Sequence, residues 1–119
     1  MKPPKNLKVG YRTFQIKTAP LRDRYGECDK EAGKILYTPG QKKDLRLNTL
    51  IHEVGHACWE VGGLEDSDVE EKVITILANQ LTDVLLNNPD FLLWINHMAG
   101  LNIPADTPEE DEDEASVRD

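Results

Sequence analysis

Between about Asp44 and Val61 the chain repeats apolar residues at spacings of three and four: Leu47, Leu50, Val54, Ala57 and Val61, with Ile51 and Cys58 beside them. That period describes an amphipathic helix with one buried stripe, and Gly62-Gly63 supplies its stop. Set into the same helix is His52-Glu53-Val54-Gly55-His56. Residues four apart lie one above the other on a helical face. Both imidazoles can therefore direct a ring nitrogen at one ion. At about 100° per residue Glu53 stands to the side, where its carboxylate reaches a water on that ion without ligating it. On the wheel the histidines fall nearly opposite the centre of the apolar stripe. The fold must cover one side of this helix and leave the other accessible.

Two His ligands with an adjacent Glu base are the arrangement of zinc peptidases. The plainer alternative is two solvated histidines and a solvated Glu. It fits poorly with the largely apolar stretch from Thr49 to Trp59.

A catalytic zinc keeps three protein ligands and one open position. His97 is the one remaining histidine, and neither cysteine lies near enough in sequence to form a ligand pair. A carboxylate is the better third ligand. A second helix is expected from about Asp68 to Asn87, opened by a capping box of Ser67 with Glu70 or Asp68 with Glu71. Its apolar residues are Val69, Val73, Ile74, Ile76, Leu77, Leu81, Val84 and Leu85. Glu70 falls near the centre of that stripe and Glu71 about 120° off it. A carboxylate on a buried face needs a partner, so Glu70 is the preferred ligand. Glu71 is the alternative ligand, or a partner that orients a histidine. The competing role for Glu70 is to favour the positive end of the helix dipole.

The resemblance enters here. HEVGH followed by a short loop and a helix opening with Glu-Glu resembles the small Glu-zincin metallopeptidases. Tyr25-Gly26-Glu27-Cys28-Asp29, Lys34-Ile35-Leu36-Tyr37, Leu77-Ala78-Asn79-Gln80-Leu81 and Asn88-Pro89 look like the short HExxH proteins of phages and prophages. More distantly the chain is similar to ImmA/IrrE-type and SprT-type proteins. In the former the ligand Glu lies further from HExxH than Glu70 does here. The resemblance implies an α+β, minimal zincin-like fold and a strand beside the metal helix that pairs with extended substrate. It also implies a Zn²⁺ cofactor and a peptide or protein substrate. In that mechanism Zn²⁺ held by His52, His56 and Glu70 brings a water's pKa from about 15.7 toward about 7, and Glu53 is the general base.

The first forty residues read as strands: Lys8 to Lys17, Tyr25 to Asp29 and Lys34 to Thr38, the last two around a loop of Lys30-Glu31-Ala32-Gly33. A small antiparallel sheet of about three strands is expected ahead of the metal helix. A third helix is expected from Asn88 to about Ala99, with Pro89 at its first position and Gly100 beyond its end. His97 could polarise a tetrahedral intermediate, though a lone His near a helix end is more often structural or solvated. Trp59 walls the cleft or joins the core, and nothing selects between Tyr25 and Tyr37 as an oxyanion donor.

At 119 residues there is room for one core, so residues 1–105 are expected to form one domain. Residues 1–50 carry a balance of +7, residues 51–105 of −8 and residues 106–119 of −7. The last stretch has almost nothing to bury and is expected to be a disordered acidic tail. No apolar run reaches membrane-spanning length and Met1-Lys2-Pro3-Pro4-Lys5 lacks a signal-peptide stretch. The expected compartment is the cytoplasm, the host's if the chain is phage-encoded. Cys28 and Cys58 are expected to be reduced and buried. Two other functions compete with the peptidase: a zinc-binding phage interaction or regulatory protein without activity, and a DNA-associated peptidase of SprT type. The negative net charge and the lack of aromatic–basic interleaving disfavour nucleic acid.

Overall fold

The computed structural model describes residues 1–101. Its first element is a hairpin of β1 (Asn6–Val9) and β2 (Arg12–Thr18), antiparallel, with Val9 opposite Arg12. The single strand expected over Lys8–Lys17 is thus two strands folded at Gly10-Tyr11. Gly10 has φ of 60°, as the first central residue of a Gly-first two-residue turn requires. A Cβ there would also stand 2.5 Å from the Val61 side chain.

β3 (Gly26–Asp29) and β4 (Lys34–Tyr37) form a second antiparallel hairpin around residues 30–33. Gly33 takes φ of 70° and the Asp29 carboxylate accepts the Ala32 N–H at 3.0 Å. The four strands lie in the order β1-β2-β4-β3, with β2 and β4 parallel. The α+β class holds and the strand count is close to the expected three, but the sheet is mixed rather than antiparallel. The chemistry of the second hairpin explains the insertion. Lys34-Ile35-Leu36-Tyr37 carries the wholly buried Ile35 and takes the inner place, while the polar Gly26-Glu27-Cys28-Asp29 becomes an edge, where charge discourages further pairing.

α1 (Lys43–Val61) packs one face on the sheet. Phe14, Ile35 and Ala57 are fully buried there, with Val9, Ile16, Cys28, Leu50, Val54 and Val61 around them. α2 (Asp68–Asn87) packs on another face of α1. Its buried line is Glu70, Ile74, Ala78 and Thr82, four apart as helix ridges are. Gly55 admits Ile74 to the α1 backbone, for a Cβ at Gly55 would meet the Ile74 side chain at 3.0 Å. Much of the expected α2 stripe lies elsewhere: Val69, Val73, Ile76, Leu77, Leu81 and Val84 are exposed. Small residues at the close contact, rather than the largest apolar ones, decide which line of α2 is covered.

Residues Pro4–Asn87 form one compact unit, and the described residues 88–101 belong with Met1–Pro3 to another. In the second, α3 (Pro89–Met98) starts at Pro89 and ends ahead of Gly100 at φ 80°. Phe91 stacks on Trp94 with ring centroids 6.2 Å apart. Among the described residues no helix is long and apolar enough to cross a membrane. The expected acidic tail, 106–119, lies outside the described residues.

Candidate metal centre

Three elements bring the site together within the first unit. α1 presents His52, Glu53 and His56, the first turn of α2 presents Glu70 and Glu71, and the β3–β4 hairpin supplies Gly26 and Lys30. They line an open cleft of about 920 Å³ that also includes Arg24, Tyr25, Glu27, Thr49 and Asp66.

The His52 and His56 rings meet edge-on with their Nε2 atoms 3.2 Å apart. The Glu71 carboxylate closes the group, with Oε1 2.9 Å from His56 Nε2 and Oε2 3.1 Å from His52 Nε2. His52, His56 and Glu71 are the one set among the described residues whose donor atoms converge as a metal site requires. Ligands about 2.0–2.1 Å from a tetrahedral zinc lie roughly 3.3 Å apart, close to the spacings here. The ring protonation adds a second argument. His56 Nδ1 lies 2.6 Å from Glu70 Oε2, and an ionised carboxylate only accepts, so Nδ1 carries the proton. A ring protonated there can bind a cation through Nε2, on the side that faces His52 Nε2 and the Glu71 carboxylate. The donor set fits zinc: two imidazoles, one carboxylate, and an exposed side toward the cleft.

Glu70, expected as the third ligand, directs its carboxylate elsewhere. It is buried, receives His56 Nδ1–H, and accepts from Lys30 Nζ at 2.9 Å and 2.7 Å. Lys30 also donates to Asp66 at 2.7 Å. Burial works against the Lys30 charge, but hydrogen bonds to Asp66 and Glu70 outweigh it and hold its pKa above the usual lysine value. The expectation that Glu70 is buried and needs a partner is met by an ammonium and an imidazole. Glu71 is exposed; partial burial works to raise its pKa, and the Thr75 hydroxyl with the His52 and His56 rings outweighs this and holds it low.

The Glu53 carboxyl lies beneath the start of β3. A Cβ at Gly26 would stand 3.0 Å from Glu53 Oε2 and 2.7 Å from Thr49 Cγ2, so only glycine lets the strand come this close. Burial, with His56 opposing and Glu71 assisting, pushes the Glu53 pKa from 4.5 up to about 7. Gln41 ties the same corner together: its amide N–H donates to the carbonyls of Tyr25 and Thr38, and its carbonyl accepts the Thr49 hydroxyl at 2.8 Å.

Against protein-family models, curated proteins and solved structures, the chain finds no match. The resemblance to short phage-type HExxH proteins therefore rests on the motif and its context.

Trp59 is partly buried and its indole donates to Glu65 O at 2.9 Å, pinning the α1–α2 connection. Tyr25 lines the cleft, whereas Tyr37 is absent from its lining. His97 is an exposed residue of α3. Both cysteines are free: Cys28 is half-buried, its pKa raised to about 12 chiefly by burial and then by Glu53, and Cys58 is exposed rather than buried as expected. Lys30, Asp66, Gln41 and Gly26 were missed as site residues. Gly26 alone carried a local signal, a glycine inside a strand pattern, which marks close backbone approach.

Proposed function

We propose that this chain is a zinc-dependent metallopeptidase whose ligands are His52, His56 and Glu71 and whose general base is Glu53. The observation that carries this reading is the convergence of two Nε2 atoms and a carboxylate within about 3 Å, beside the buried carboxyl of Glu53. Glu71 is preferred to Glu70 because its oxygens approach both Nε2 atoms, whereas Glu70 is engaged by Nδ1 and Lys30. A zinc ion bound there supplies Lewis acidity that brings the ionisation of water toward neutral pH. Glu53 accepts the proton as water adds to a peptide carbonyl. It returns that proton to the amine as the C–N bond breaks, so the base is regenerated. Glu70 holds the His56 ring in one tautomer and orientation, the role carboxylates take behind metal-bound histidines. The lining, which includes Glu27, Asp29, Glu31 and Asp66, argues against nucleic acid as the occupant. The proposed compartment is the cytoplasm.

Metal content of the purified chain, measured beside Glu71→Ala and Glu70→Ala, tests the ligand set. The expected result is one equivalent of zinc in the wild type, lost with Glu71→Ala and weakened with Glu70→Ala. Glu53→Gln should keep the zinc and lose hydrolysis of a mixed peptide library by about 10²-fold or more. A Glu53→Gln variant that retains full activity overturns the mechanism. Zinc binding without hydrolysis in the wild type would leave a non-catalytic interaction protein as the better reading.

A further inference from the structure

Lys30 sits in the β3–β4 loop, 26 positions before His56 and 40 before Glu70 in the chain, yet its ammonium is the centre of a polar network that ends at the histidine. Nζ donates to both oxygens of Glu70 and to Asp66, and the Lys30 side chain is only 19% exposed. The Glu70 side chain is 7% exposed. A carboxylate so deeply covered is costly unless an opposite charge and hydrogen bonds accompany it. Here three ammonium protons and one imidazole N–H share the work among two carboxylates. Asp66 is open to solvent at 79% exposure, so Glu70 is the partner for which Lys30 matters.

We propose that Lys30 is a positioning residue for the metal centre: it holds the Glu70 carboxylate against His56 Nδ1, which fixes the orientation of the His56 ring. This rests on the metal-centre reading above. The hydrogen bonds of Lys30 go to Glu70 and Asp66 rather than to a proposed ligand, so it acts through Glu70. The loop that supplies it is contiguous with β3, the strand lining the cleft, so the hairpin that borders the substrate groove also sets the grip on the metal.

The test is a zinc titration of the full-length chain against a chelating dye, with wild type, Lys30→Met, Lys30→Arg, Glu70→Gln and the double variant Lys30→Met/Glu70→Gln. Circular dichroism confirms folding of each. Lys30→Met should weaken zinc binding by about 10–100-fold, the usual cost of losing such an outer partner. Lys30→Arg, which keeps charge and donors, should recover most of the affinity. The double variant should lose little more than the weaker single, because residues in one network do not add. Folded Lys30→Met at wild-type zinc affinity, or losses that multiply in the double variant, would overturn the proposal while leaving the metal centre intact. A wild type that binds no zinc overturns both.

Discussion

The two sides of α1 are built on opposite principles. Toward the sheet it meets Phe14, Ile35, Val9, Ile16 and Cys28, with Leu50, Val54, Ala57 and Val61 its own contribution. Toward the cleft and α2, the polar residues Glu53, Thr49, Glu70 and Thr82 are buried beside Ile74 and Ala78. The first side holds the fold by apolar area, roughly 25 cal/mol per Å² removed from water. The second keeps carboxylates out of water, a liability for stability. One helix thus carries the stabilising seam and the destabilising site back to back. Strongly perturbed titratable groups in clefts cluster at functional sites, which is why this side of α1 carries the proposed chemistry.

The comparison breaks most visibly at Phe14. Phe14→Ala empties a fully buried ring position and should cost about 3–5 kcal/mol, read as a shift in the urea midpoint. A loss under about 1 kcal/mol would mean the seam is not what holds the unit.

Glu53→Gln should act in the opposite direction. With zinc chelated away, the Glu53 pKa is raised from 4.5 to about 7, so the folded state holds this proton more tightly than the unfolded chain. The resulting penalty is absent below about pH 4.5, grows through the interval, and is complete above about pH 7. Two and a half pH units correspond to about 3 kcal/mol at most. Chelated Glu53→Gln should therefore melt above wild type at pH 8, with the difference shrinking toward pH 5. A difference of equal size at both pH values would assign the effect to packing.

Gly26→Ala should be costly where most Gly→Ala changes in loops are mild. The new methyl meets the buried Thr49 at 2.7 Å, and overpacking of this kind costs about 1–3 kcal/mol. Tolerance of alanine would show that β3 can lift from α1. The smallest effect concerns the thiols, where no stability change is needed. Iodoacetamide at pH 8 should modify the exposed Cys58 and spare Cys28, whose pKa lies near 12, as peptide mapping would show.

The helices were legible because their information is local. Period, capping residues and terminal glycines placed α1 and α2 almost to the residue, and the burial of Glu70 followed from its angle on the wheel. The hairpin at residues 30–33 was legible through Gly33. The split at Gly10 carried a signal, Gly-Tyr between two β-forming runs, but the continuous alternation from Lys8 to Lys17 overrode it. The parallel pairing of β2 with β4 depends on how a connection crosses the sheet, which no short window contains. The partners of Glu70 and Glu71 are a tertiary matter. Adjacent on one helix, they differ by about 100°, and only the approach of α1 and of Lys30 decides which carboxylate meets Nε2 and which meets Nδ1.

The brevity of the α1–α2 connection has a kinetic meaning. All three proposed donors lie on one helical hairpin joined by residues 62–67, where the Trp59 indole is already tied to Glu65 O. Closing so short a loop costs little chain entropy, so capture of an ion and zipping of the two helices can be one early event. Lys30 arrives by a far longer closure, together with the β3–β4 hairpin. In the proposed centre, the order of assembly would then run from a loosely held ion on a helical pair to a tightly held one once the strands dock. Completion of the fold would be recorded in the strength of the grip.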